Sequence, residues 1–115
     1  MSMKRRIVAI TLVALVGLLT AACFGPKPTV VSHELSPPEQ PGQPWVMHAT
    51  VKNRGSGEGQ VAVTARLIDP QTGTVVAANE TTVTMQGHET TIVAIDLQPP
   101  TDGPFDEEVE AEYPT

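Results

Sequence analysis

WVMHATVKN, residues 45–53, alternates between apolar and polar side chains along most of its length. Successive side chains of an extended chain point to opposite faces, so one face would collect Trp45, Met47, Ala49 and Val51. A period of two is typical of a strand with one buried face. We therefore predict a β-strand here and expect its apolar face to join a hydrophobic core.

Similar alternation recurs downstream, each time after a segment rich in Gly, Pro, Asn or Asp. The residues expected to face inward are Val61, Val63, Ala65 and Leu67; Val75, Ala77, Val83 and Met85; Thr91, Val93, Ile95 and Leu97; and Phe105, Val109, Ala111 and Tyr113. No sustained helical period interrupts this pattern. The sequence therefore predicts an all-β fold over 45–115, a small antiparallel immunoglobulin-like β-sandwich.

Three short stretches carry a family resemblance: ATVKNRG at 49–55, ARLID at 65–69 and GHETT at 87–91. Together they resemble the FxLYD and CARDB-like immunoglobulin-type domains of bacterial lipoproteins and surface proteins. The resemblance covers about residues 45–113 and implies the sandwich fold. It implies no catalytic residues, because these domains share none.

The N-terminus has the layout of an export signal. A basic start, MSMKRR, precedes an apolar run over 7–19, and Thr20, Ala21 and Ala22 then lead into Cys23. This segment resembles a bacterial lipoprotein signal peptide with Thr20-Ala21-Ala22-Cys23 as its lipobox. The resemblance implies cleavage between Ala22 and Cys23 and attachment of diacylglycerol to the Cys23 thiol. An uncleaved spanning helix is the alternative, although the run is shorter than the ~20 residues that such a helix needs.

Residues 23–44 are rich in proline, which lacks a backbone N–H and favours extended chain. We therefore predict a semi-rigid stalk over 23–44, between the signal peptide at 1–22 and the domain at 45–115. Within the stalk only Thr29 to Leu35 is suited to a strand, and that strand would lie at a sheet edge.

Charge is distributed unevenly along the chain. Beyond residue 22, four Lys and Arg against thirteen Asp and Glu give a net charge of −9, compared with −6 for the whole sequence. An acidic domain repels both nucleic acid and an anionic membrane surface. We therefore exclude nucleic acid as a partner and expect repulsion to hold the domain off the membrane. Cys23 is the sole cysteine, so the domain has no internal disulfide.

Two pairs of residues offer candidate metal ligands. Met85 and His88 flank a turn and could present a thioether and an imidazole to copper. Asp106 and Glu108 share one face of the last strand, where two carboxylates with help from a loop could bind calcium. Neither pair has a metal-binding motif spacing. The favoured interpretation is a core methionine, a surface histidine and a solvated acidic face, with no cofactor.

The sequence provides no catalytic constellation, and we predict a non-enzymatic protein anchored outside the cytoplasm on the cell membrane or outer membrane. The membrane would be bound through the lipid on Cys23, and the domain would contact an envelope protein or glycan. Two alternatives stay open: a copper or calcium binding protein, and an accessory subunit of an envelope complex contacting its partner through Val46 and the threonine-rich edge strand.

Overall fold

The computed structural model describes residues 25–114, which form six β-strands. Their bounds are β1 Pro28–Ser36, β2 Trp45–Asn53, β3 Gly59–Ile68, β4 Val75–Met85, β5 Thr90–Leu97 and β6 Asp106–Glu112. Within these residues no helix has the length and hydrophobicity needed to cross a membrane. The predicted all-β class is confirmed.

The strands form two three-stranded antiparallel sheets. Sheet A has the order β1-β2-β5, and sheet B has the order β4-β3-β6. β3 and β4 form a hairpin, whereas the connections β2–β3, β4–β5 and β5–β6 each pass from one sheet to the other. This arrangement is an immunoglobulin-like sandwich, with β2 and β3 as the central strands.

The core lies between the two sheets and is built from aliphatic side chains and methionine. Its buried members are Met47, Ala49, Val51, Val61, Val63, Ala65, Leu67, Met85, Val93, Ile95 and Leu97. The inward faces predicted for β2, β3 and β5 are therefore confirmed at these positions. Trp45 lies at the margin of the core, half-buried, with its ring edge-on to Phe105 at 5.3 Å between centroids.

One inward prediction in β4 is wrong. Val75 is 48% exposed, although Ala77, Val83 and Met85 do pack in or against the core as expected. The register changes at this end of the β3–β4 ladder, where Leu67 pairs with Ala77 and Ile68 with Val75. The extra residue, Val76, reverses the alternation and packs inward in place of Val75.

The structure also revises the predicted stalk. Pro28–Ser36 is a full strand of sheet A, hydrogen-bonded to β2 from Pro28↔Asn53 to Ser36↔Val46. The edge strand expected within 29–35 is present, but the folded domain includes it and begins well before residue 45. Pro28 is tolerated in this strand because an edge strand leaves alternate backbone N–H groups unpaired. A bulge at Val31, which is 54% exposed, breaks the register of the edge.

Candidate functional site

The two ends of the sandwich differ in character. We call one the proximal end, formed by residues 25–28, 53–59, 86–89 and 113, because the chain enters the fold there. The distal end is formed by the connections 37–44, 69–74 and 98–104. Cys23 and the predicted cleavage site at Ala22 lie outside the described residues, two or three positions before the proximal end.

Asn53 organises the proximal end. Its side chain is fully buried, and its Oδ1 accepts hydrogen bonds from the backbone N–H groups of Lys27 and Gly55, both at 2.9 Å. Its Nδ2 donates to the carbonyl oxygens of Gly57 and Gln86, also at 2.9 Å. One amide therefore joins three separate segments of chain, with a partner for each of its hydrogen-bonding positions.

Backbone contacts reinforce this junction. The N–H of Arg54 donates to the carbonyl of Lys27 at 2.9 Å, and that of His88 donates to the carbonyl of Gly55 at 3.0 Å. A side chain at Gly87 would collide with the carbonyl oxygen of Ser56. Glycine is required at Gly87 because the turn at 86–89 lies directly against the loop at 53–59.

The first described residues are packed under the C-terminal end of the domain. Pro26 is buried, and an added Cβ at Gly25 would lie 2.7 Å from a ring carbon of Tyr113. An added Cβ at Gly59 would lie 2.7 Å from Pro26 and 3.1 Å from the Tyr113 ring. Tyr113 thus covers the first described residues, and the backbone is packed against the domain from Gly25 onward.

Three of the four Lys and Arg residues beyond the signal segment lie at or beside the proximal end: Lys27, Lys52 and Arg54. Lys52 pairs with Thr29 and Thr90, next to the Asn53 junction. Lys27 and Arg54 are exposed, and Lys52 is half-buried. The cationic side chains of this acidic domain are therefore concentrated where the chain enters the fold.

The acidic strand β6 is partly neutralised by a cation on its neighbour. Arg66 is the register partner of Glu108, and its Nη1 lies 3.3 Å from Oε1 of Glu108 and 3.5 Å from Oε2 of Glu110. On the other face, Nε2 of His33 lies 3.4 Å from Oε1 of Glu107. That second contact links β1 to β6 and so joins the two sheets at one open side.

The candidate metal ligands lie in unlike environments. Met85 has no exposed surface, whereas His88 is exposed with a left-handed φ of 61°. An ion shared by these two residues would require the core to open. Glu108 contacts Arg66, and Asp106 is exposed near the distal end of β6. Over residues 25–114 no three His, Cys, Asp or Glu side chains converge in a group suited to a metal ion.

The outer face of sheet A carries exposed apolar side chains. Ile92 is 67% exposed, and it lies opposite Thr50 on the central strand. Ala94 is exposed opposite His48, and Val46 is half-buried near the distal end. At the free edge of β5, the Asn79 side chain of β4 donates to the Asp96 carbonyl at 3.0 Å. That bond occupies one of the edge acceptors that another strand would need.

The sequence does not predict two features of the proximal end, the Asn53 junction and the packing of Gly25 and Pro26. Asn53 stands directly before a glycine-rich segment, where Asn is an ordinary turn signal, so the pattern does not predict a buried amide. The packing of Gly25 and Pro26 was hidden by the proline content of the segment, which suggested a spacer.

Comparison with known proteins supports the fold only. No family model and no curated protein matches the chain. Among solved structures, the β-glucosidase DesR from Streptomyces venezuelae is 18% identical over 76% of this chain, with a TM-score of 0.52. A β-glucuronidase from glycoside hydrolase family 2 is 15% identical over 62% of it, with a TM-score of 0.48. This chain spans only 13% and 8% of those two chains.

Proposed function

We propose that this protein is a lipid-anchored component of the bacterial cell envelope whose sandwich domain makes non-enzymatic contacts with a protein or glycan partner. The observation that carries the anchor is the order of the first 23 residues: basic start, apolar run, small residues and then Cys23. Two or more acyl chains on that cysteine hold a protein on a bilayer stably, whereas one chain binds weakly and reversibly.

The anchor is tested by metabolic labelling of bacteria expressing the full chain with an alkyne fatty acid. Wild-type protein should be labelled and should sediment with membranes. Cys23→Ala should lose the label, and Ser56→Ala, an exposed site within the domain, should keep it. Labelling that survives Cys23→Ala would contradict the proposal, and so would a native protein whose intact mass still includes residues 1–22.

The outer face of sheet A is the contact surface that we favour for the partner. Ile92 and Ala94 place exposed apolar area on a face that also carries His48, which suits a contact that is apolar with a polar margin. In the accessory-subunit alternative, the partner within the envelope complex would contact this face. The threonine-rich strand β4 is an adjoining edge of the other sheet.

Photo-crosslinking in cells tests that surface. A photoreactive residue at Ile92 should trap a defined partner, whereas the same residue at Gln71, exposed in the distal turn between β3 and β4, serves as the control. Ile92→Lys should abolish co-purification of the trapped species. Equal capture from both positions would assign no special role to the outer face of sheet A.

Metal binding is the second candidate, and the positions of Met85 and His88 make it the weaker one. Calorimetric titration of the domain with Cu(I), Cu(II) and Ca²⁺ tests it directly. A saturable heat lost in His88→Ala or Glu108→Gln would support a metal site, and we expect none.

A further inference from the structure

We infer that the proximal end of the sandwich rests directly on the membrane surface, with Lys27, Lys52 and Arg54 against anionic lipid headgroups. This inference rests on the proposed lipid anchor at Cys23. It concerns how the domain is oriented and how far it stands from the bilayer, and it replaces the stalk predicted from the proline content of residues 23–44.

The tether between Cys23 and the domain is short. Phe24 alone separates Cys23 from Gly25, and two residues of fully extended chain reach at most about 7 Å. From Gly25 the backbone is held by Tyr113, Pro26 is buried, and the Lys27 N–H is bonded to Asn53. A lipid on Cys23 would therefore bring the proximal end to the headgroup layer with almost no spacer.

Charge is distributed unequally between the proximal end and the rest of the domain. Glu58 and Glu89 lie in the proximal loops and Glu112 ends β6, so with Lys27, Lys52 and Arg54 this part of the domain is close to neutral. The remaining ten acids face a single cation, Arg66, which leaves a net charge of −9 on the rest of the domain. An anionic bilayer attracts basic residues close to its surface and repels the acidic part. Both effects favour an upright domain with its proximal end down.

The orientation makes a measurable distance difference. β2 runs nine residues from Trp45 at the distal end to Asn53 at the proximal end, about 27 Å along the strand. A label at Ser56, exposed in the proximal loop, should lie near the headgroups, and one at Gln71, exposed in the distal turn, should not. Contact quenching by a nitroxide on the lipid headgroup distinguishes these positions.

The experiment uses the full-length lipidated protein, carrying Ser56→Cys or Gln71→Cys and a thiol-reactive fluorophore. A lipidated Cys23 is a thioether and does not react with the fluorophore. The protein is reconstituted into vesicles of phosphatidylcholine alone or of phosphatidylcholine mixed with phosphatidylglycerol. In the anionic vesicles we expect quenching at Ser56 to exceed that at Gln71 by about threefold or more, given their separation.

Charge variants test the role of the three cations. Lys27→Gln, Lys52→Gln and Arg54→Gln together should lower Ser56 quenching in anionic vesicles to its level in neutral vesicles. The matched control is Gln40→Glu, Gln43→Glu and Gln98→Glu, which changes the net charge by the same amount at the distal end. The control should retain the full quenching. Added salt should reduce the wild-type excess as well, by screening the headgroup attraction.

The outcomes separate the two proposals. A Cys23 without lipid by intact mass would overturn the anchor and this inference together. A lipidated protein whose two labels are quenched equally would overturn the end-on arrangement and leave the anchor standing. Equal loss of quenching in the proximal and distal charge variants would overturn the assigned role of the three cations.

Discussion

At the scale of single residues, Asn53 is the most consequential polar side chain in residues 25–114. It is the fully buried polar residue of that range, and it bonds to Lys27, Gly55, Gly57 and Gln86. A buried donor or acceptor that loses its partner costs about 1–3 kcal/mol. The hydrogen bonds of this one side chain therefore account for a large part of the free energy of unfolding expected of a small domain.

We expect Asn53→Ala to lower the free energy of unfolding by about 3 kcal/mol, because the N–H groups of Lys27 and Gly55 and the carbonyl of Gly57 lose their Asn53 partner. The Gln86 carbonyl keeps a second donor, the N–H of Glu89. Urea unfolding followed by tryptophan fluorescence measures the change. Asn79→Ala is the control, since Asn79 is exposed and should cost less than about 1 kcal/mol. Similar losses in the two variants would contradict the role assigned to Asn53.

Gly87 is predicted to reject any side chain. Gly87→Ala should destabilise the domain by about 1–3 kcal/mol, because the new Cβ meets backbone atoms of Ser56 rather than a flexible side chain. Thermal unfolding measures the effect. Ser56→Ala keeps that backbone in place and should change stability by less than about 0.5 kcal/mol. A tolerated alanine at Gly87 would mean that the two loops can separate without loss.

At the scale of strands, the sequence predicts central elements better than edges. The faces of β2, β3 and β5 follow from strict alternation, because these strands bury one face fully. At Val75 the alternating pattern predicts the wrong face, because a bulge adds one residue to β4. The bulge is a feature of the pairing between β3 and β4, and the composition of β4 does not reveal it. Alternation gives little information in β1, where polar residues and the prolines around the strand conceal its pairing with β2.

At the proximal end, too, the sequence predicts local patterns better than contacts between residues far apart in the chain. The pattern around Cys23 is local, so one sequence suffices to propose it. The clustering of Lys27, Lys52 and Arg54 depends on β1 pairing with β2, and the packing of Gly25 depends on Tyr113, almost ninety residues later. Contacts of this kind follow from the topology and not from spacing along the chain.

The inclusion of β1 in the domain predicts the behaviour of two polypeptides. Residues 25–114 should unfold cooperatively, whereas residues 45–114 should be unfolded or aggregated. Without β1 the central strand β2 becomes an open edge, and Leu35 no longer covers the core. Far-UV circular dichroism during heating compares the two. A cooperative transition of residues 45–114 at the same temperature would restore the stalk over all of 23–44.

Within sheet B, Arg66 is expected to relieve repulsion along β6. Arg66→Gln should cost about 0.5–1 kcal/mol at low ionic strength, since the contacts with Glu108 and Glu110 are partly solvated. Urea unfolding at low and high NaCl measures it, and the loss should shrink as salt screens the repulsion between the carboxylates. Adding Glu108→Gln to Arg66→Gln should recover part of the loss. A loss that is independent of salt would point to packing of the arginine stem instead.

At the scale of the whole molecule, net charge dominates. A domain at −9 repels itself, and this repulsion favours expansion. Raising NaCl from about 10 mM to about 300 mM should therefore stabilise residues 25–114 by about 1 kcal/mol, or roughly 4–8 °C in Tm. Glu39→Gln with Glu80→Gln, both exposed, should reduce the increase. A Tm that falls with added salt would show that attractive pairs outweigh the repulsion.

The contact between Tyr113 and Gly25 has a consequence for how the chain can be rearranged. Because the two ends of the described chain meet at one pole, a few added residues should join them without disturbing either sheet. New termini would then be opened in the exposed turn at 70–73, between β3 and β4. Such a circular permutant should fold, and it would present its free ends at the opposite pole of the domain.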